Sequence, residues 1–129
     1  MSLKNMLLLD TNAILRYVLR DNPAMADIAE EQMLIEVCYV PVEVVAEVVY
    51  VLLKTYKIDR KIIAQTVIDL ADTQDVCFFQ DRVVRYAFGV FASTTFDFVD
   101  CLLIGYSKEK KYSVFTFDKK LQRYLNKIV

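Results

Sequence analysis

The sequence predicts an α/β fold with a central, mainly parallel sheet of four to five strands covered by helices on both faces. Three observations carry that expectation. Short apolar runs recur at residues 6–9, 37–40, 76–79 and 113–117. Longer stretches with helical apolar spacing separate them, and crossovers of that length join parallel neighbours rather than hairpin partners. Hydrophobic residues make up 56% of the chain, above the roughly 45–50% of an average domain on a slightly different residue set, so some elements are buried on both sides. At 129 residues a single domain, 1–129, is expected, long enough to bury roughly two-thirds of its extended-chain surface.

The elements follow in order. Residues 6–9 form a first strand, and Ile14, Leu15, Val18 and Leu19 place a helix over 12–20, ended by Asp21-Asn22-Pro23. Asn22 caps, and Pro23 opens, a second helix to about residue 36, before a strand at 37–40. From Pro41 to about Tyr56 the run is rich in β-branched residues, yet it is too long for one strand, and Val44, Val48, Val51 and Leu52 recur at helical spacing. Asp59 caps a helix over 60–72, a third strand covers 76–79 and a helix covers 81–91. After a loop at Ser93-Thr94-Thr95, Asp97 caps a helix to about Lys110, a fourth strand covers 113–117, and residues 119–127 form the last helix.

Composition excludes several classes. A formal net charge of −1 gives no global basic field, so contact with a polyanion would have to rest on local patches. Cys38, Cys77 and Cys101 are odd in number, lie in apolar contexts and lack C-x-x-C spacing, which points to a reducing cytoplasm and away from a disulfide frame or a zinc site. Residues 1–10 are too short an apolar segment for a signal peptide, and the stretch 37–53 carries Pro41, Glu43 and Glu47, so no membrane span is expected. There is no histidine, so chemistry must run on carboxylates, hydroxyls or thiols.

The acids are the informative residues. Asp10 ends an apolar run, Glu47 lies within residues 44–53, Asp100 sits in Phe98-Val99-Asp100-Cys101-Leu102, and Asp118 follows Val114-Phe115-Thr116-Phe117. A carboxylate taken out of water must be paired, protonated or bound to a cation. Asp10 and Asp118 fall at carboxyl ends of predicted strands, where open parallel sheets gather functional groups. Four carboxylates converging there would cost roughly 3–4 kcal/mol per pair at 4–5 Å and an effective dielectric near 20. A divalent cation relieves that repulsion, and oxygen-only donors favour Mg²⁺ or Mn²⁺ over zinc. The bland alternative is capping: Asp10, Asp118 and the pair Asp97-x-x-Asp100 all stand where helix caps are common. Glu47 is harder to dismiss, because its valine neighbours leave little polar face and Glu43, one turn earlier, would repel it.

Leu8-Leu9-Asp10-Thr11-Asn12-Ala13-Ile14-Leu15-Arg16, Pro41 through Glu47-Val48-Val49-Tyr50-Val51-Leu52, Asp97-Phe98-Val99-Asp100 and Thr116-Phe117-Asp118 together resemble a PIN-domain ribonuclease of the VapC toxin type. The resemblance spans essentially the whole chain. It implies a three-layer α/β/α PIN-like fold and a Mg²⁺- or Mn²⁺-dependent endoribonuclease cleaving single-stranded RNA through metal-activated water. It implies Asp10, Glu47, Asp100 and Asp118 as catalytic metal ligands, with Glu43 and Asp97 as alternates. Asn12 and Thr116 would orient ligands or metal-bound water. It further implies a homodimer and an antitoxin protein as partner. Departures are Lys110-Lys111-Tyr112 before the last strand, where a small residue is common, and Cys101-Leu102-Leu103 after Asp100.

RNA also needs phosphate contacts. Arg16, Lys119 and Lys120 are the leading candidates, with Lys54, Lys57 and Arg123 behind them, although most such cations merely solvate helix faces. Two other classes compete. A PIN-like module that binds RNA or protein without cutting would be expected to lose ligands, and here the acids are intact. A phospho-acceptor receiver domain wants paired acids after the first strand. Here Asp10 stands alone, and Phe78-Phe79-Gln80-Asp81 is a poor acceptor site.

Overall fold

The computed structural model describes residues 6–129, so the opening five residues of the stretch read for a signal peptide lie outside it. The chain divides into two compact units, one ending at Phe79 and the other running Gln80–Val129.

The first unit carries the sheet. Strand β1 (Met6–Leu8) leads through helices α1 (Thr11–Leu19) and α2 (Pro23–Ile35) to β2 (Val37–Val40). Helices α3 (Val42–Lys54) and α4 (Arg60–Gln74) then lead to β3 (Cys77–Phe78). The strands are parallel in the order β1-β2-β3, with Leu7 opposite Cys38 and Tyr39 opposite Cys77. Two bonds extend the ladder past the strand ends, Leu9 N–H to the Tyr39 carbonyl at 3.0 Å and Phe79 N–H to the Val40 carbonyl at 3.1 Å. Asp10 therefore follows the last residue tied to the sheet. Helix α1 packs on α2 and α3, and α4 packs on α3 and α2. Asn22 accepts from Met25 N–H and Asp59 from Lys61 N–H, as their positions predict.

The second unit is helical: α5 (Asp81–Ser93), α6 (Phe98–Lys110) and α7 (Lys119–Ile128). Phe98 at the start of α6 is buried against Phe88 and Phe91 of α5, at ring centroid distances of 4.8 and 5.6 Å. Burying one such ring contributes about 1.5–3 kcal/mol, more than a typical cap. The start of α6 is thus located by its aromatic anchor. Gly105, buried further along α6, permits the close approach of the two helices: a Cβ there would lie 2.6 Å from the Val83 carbonyl oxygen.

The expected fourth strand is not formed. Among the described residues the sheet has three strands, and residues 113–117 run without regular structure. Backbone groups at the end of that segment are taken up locally. Thr116 Oγ1 accepts from Asp118 N–H at 3.0 Å, and Gln122 Nε2 donates to the Thr116 carbonyl at 2.6 Å. Phe115 and Phe117, which the expected strand would have contained, are 86% and 84% exposed and pack edge-to-face on each other. The third strand is also shorter than its apolar run, because Val76 and Phe79 flank rather than join it.

The two glycines provide a paired test of the helix contact. Gly105→Ala is expected to lower unfolding free energy by about 1–3 kcal/mol through overpacking. Gly89→Ala, whose new Cβ meets nothing within 4 Å, should raise it by about 0.5–1 kcal/mol. Urea denaturation of both variants checks the opposed signs.

Candidate active site

In the first unit Asp10 is the N-cap of α1. Its backbone is extended (φ −89°, ψ 174°) and its Oδ1 accepts from Ala13 N–H at 2.8 Å. The side chain is exposed, and it lines a cavity of about 460 Å³ together with Asn12, Arg16, Leu8, Met25 and Ile28. Asn12 is exposed on the first turn of α1 and makes no hydrogen bond among the described residues. Arg16 is committed elsewhere: its guanidinium meets both carboxylate oxygens of Asp21 at 3.2 Å, which weakens its case as a phosphate contact.

Glu47 corrects an expectation. Helix α3 buries Val45, Val48, Val49 and Leu52 and exposes Glu43, Glu47, Tyr50 and Lys54, so a polar face does exist. Those four follow at intervals of four, three and four residues, one stripe of an α-helix. Glu47 and Glu43 share it, and neither makes a hydrogen bond or ion pair among the described residues. The many valines concealed this, because Val44 and Val51 flank the stripe only half-buried.

The second unit holds Asp97, Asp100 and Asp118. Asp97 occupies the N-cap position of α6 but, contrary to the capping expectation, makes no side-chain cap bond. Asp100 is the third residue of α6 and half-buried, while Asp118 caps α7 with Oδ1 accepting from Leu121 N–H at 2.8 Å. Thr116 holds the Asp118 backbone as described, consistent with a supporting role. Burial pushes the Asp100 carboxyl above the ordinary carboxylate range, and the charges of Asp97 and then Asp118 push it further the same way. Asp100 therefore feels the charges of both Asp97 and Asp118. Asp97 and Asp100, the two alternatives the sequence left open, stand three residues apart at the start of α6.

Among the described residues no group of three or more Asp, Glu, Cys or His stands ready to hold a metal ion. Oxygen donors held at helix starts, with Asp100 disfavoured as a bare anion by its neighbours, still suit a hard divalent cation. Mg²⁺ binds through one or two carboxylates and keeps several waters, so it needs no protein cage.

Of the basic candidates, Lys119 is exposed at the start of α7, and Lys120 Nζ donates to Thr95 Oγ1 at 2.7 Å. Sequence reading passed over Lys127, Thr94 and Thr95, which line one cavity with Lys120 and Arg123. The i, i+3, i+7 spacing of 120, 123 and 127 was the available signal.

Residues 7–126 match the PIN domain family. The chain belongs to the PIN domain family. PIN domains are generally nucleases, which act on nucleic acid and typically use divalent metal ions. That accords with an all-oxygen set of acids and the absence of histidine. Comparison with curated proteins and with solved structures returned no match. Among the described residues of this PIN domain, no helix is long and apolar enough to cross a membrane.

The raised proton affinity of Asp100 has a stability consequence. The folded state binds the proton more tightly than the unfolded chain, so stability falls as pH rises from about 4 through the folded-state value. Asp100→Asn removes that loss. In EDTA its Tm relative to the parent should rise between strongly acid and neutral pH, and a constant difference across the range would contradict the assignment.

Proposed function

We propose that this PIN domain is a Mg²⁺- or Mn²⁺-dependent endoribonuclease that cleaves single-stranded RNA, and that it is the toxin of a toxin-antitoxin pair. Asp10, Glu47, Asp100 and Asp118 are its metal-binding and catalytic carboxylates in this reading, with Glu43 and Asp97 as alternates. The observation that carries it is the placement of Asp10, Asp100 and Asp118 at the starts of α1, α6 and α7 within a PIN family match.

When bound, a divalent ion supplies Lewis acidity toward the phosphate and acidifies a water that attacks it. The protein's own part is orientation. Capping fixes Asp10 and Asp118 through one carboxylate oxygen each and leaves the other for a ligand. Thr116 steadies Asp118 from behind, and Asn12 stands two residues beyond Asp10 to orient a bound water. Asp100 retains its proton to higher pH than an ordinary carboxyl and surrenders it on taking a cation. A homodimer and an antitoxin partner belong to the same reading. Exposed Leu8, Met25 and Ile28 beside the Asp10 cavity support such association.

The second reading, nucleic-acid binding without cutting, is favoured by the absence of a preassembled three-ligand group among the described residues. Metal titration separates the two. Millimolar Mn²⁺ should raise Tm in the parent and much less in Asp100→Asn, since a ligand at 100 times its Kd stabilises by about 2.7 kcal/mol. No shift in the parent would favour the second reading.

Asp10→Asn and Asp100→Asn should each lower Mn²⁺-dependent cleavage of single-stranded RNA roughly 100-fold or more, the several kcal/mol that metal chemistry supplies. Asn caps about as well as Asp, so the Asp10 variant should remain folded by circular dichroism. Undiminished cleavage in both purified variants would overturn the assignment.

A further inference from the structure

Lys120, Arg123 and Lys127 line a cavity of about 410 Å³ in the second unit, together with Thr94, Thr95, Phe96 and Tyr124. No carboxylate lines it, in a chain where acids outnumber bases 17 to 16. Three arginines elsewhere are engaged: Arg16 pairs with Asp21, Arg20 with Asp27 and Glu30, and Arg85 with Asp81. No ion pair joins Lys120, Arg123 or Lys127 to an acid among the described residues.

Helix electrostatics does not account for the row. Lys127 in the last turn of α7 suits the negative end of the dipole, but Lys120 is the second residue, at the end that disfavours cations. Lys120 is held there by its bond to Thr95 and by the Phe96 ring, with Nζ 4.8 Å from the centroid. Two Nζ protons remain, and Thr95, used as an acceptor, keeps its own proton to donate. Thr94 is fully engaged: its hydroxyl donates to the Val90 carbonyl at 2.8 Å and accepts from Phe96 N–H, and so it shapes the loop. Tyr124, half-buried and edge-to-face with Phe96, gives the cavity an aromatic floor.

We propose that this cavity is a phosphodiester subsite for single-stranded RNA, in which Lys120, Arg123 and Lys127 follow the strand and Thr95 donates to a phosphate oxygen. The proposal rests on the ribonuclease reading for its choice of RNA. The three cations span roughly 10 Å along α7, a short run of neighbouring phosphates. The row starts two residues from Asp118, so a strand tracking it is led to that carboxylate. The aromatic floor suits ribose and base, which favours a nucleic acid over an acidic peptide.

The test is fluorescence anisotropy with a fluorescein-labelled 2′-O-methyl oligouridine, which is not cleaved, in EDTA. Counterion release on single strands contributes a log–log salt slope of about 0.7 per phosphate neutralised. The variant Lys120→Gln/Arg123→Gln/Lys127→Gln should therefore lose about 2 from the slope, so that between roughly 50 and 200 mM salt its affinity falls about 20-fold less than the parent's. Each single substitution should remove about 0.7, a reading that serves if the triple variant does not fold. The charge-matched variant Lys61→Gln/Lys108→Gln/Lys110→Gln should keep the parent slope. An unchanged slope in the first variant, an equal loss in the control, or no binding by the parent would overturn the subsite. Tighter binding of an oligothymidylate DNA would overturn its assignment to RNA. RNA bound through these cations but never cut with Mn²⁺ leaves the subsite standing and removes the ribonuclease. Cutting by a protein with no slope loss does the reverse.

Discussion

Helix amino termini hold four of this protein's acids. The first turn of a helix presents unpaired N–H groups and a partial positive charge, and a carboxylate there is stabilised by about 0.5–2 kcal/mol. Asp10 starts α1, Asp97 and Asp100 start α6, and Asp118 starts α7. Capping by Asp10 and Asp118 thus does not compete with the catalytic role proposed for them. A cap uses one carboxylate oxygen, and its hydrogen bond sets the direction in which the second one points.

Asp100 shows the opposing forces in one residue. The α6 dipole favours its charge by about 0.3–1 kcal/mol, while partial burial and two neighbouring acids disfavour it. The direction of the shift is toward the protonated form, with burial the largest cause and the charges of Asp97 and Asp118 behind it. Asp100 cannot move away, because Phe98 and Gly105 seat α6 on α5 and Cys101, beside it, is fully buried. Packing that has nothing to do with chemistry therefore maintains an electrostatic tension at the acids.

The sequence made the helices and the first two strands legible because their apolar periods were clean and their caps were of the right residue types. Residues 37–40 and the Asn22 and Asp59 caps coincide with the observed elements. The fourth strand was misread since Val114-Phe115-Thr116-Phe117 has the composition of a strand, whereas the Thr116 turn and the Gln122 bond depend on neighbours in α7. Turns were hidden for another reason: Arg20, Lys57, Asp75, Gln80 and Lys111 adopt positive φ with no glycine to announce it. At the site, positions of acids were readable and their environments were not. Val-rich surroundings suggested a buried Glu47, but the pitch of α3 turns it outward. Lys127 lay unnoticed because Thr95 and Phe96, which line the same cavity, come from a loop distant in sequence.

The outward stripe of α3 separates this protein's acids by what else depends on them. Glu47 supports no packing and no cap, so a lineage released from the reaction would drift there freely, at no expense to folding. Asp10 and Asp118 would be retained longer, as Asp or as its neutral amide, because their helices need a cap. Decay of function in such a chain would have an order, beginning at Glu47 and reaching the capping acids last. On the proposed function, an ancestral activity would then be recorded least faithfully at Glu47, where neither packing nor a cap holds the residue.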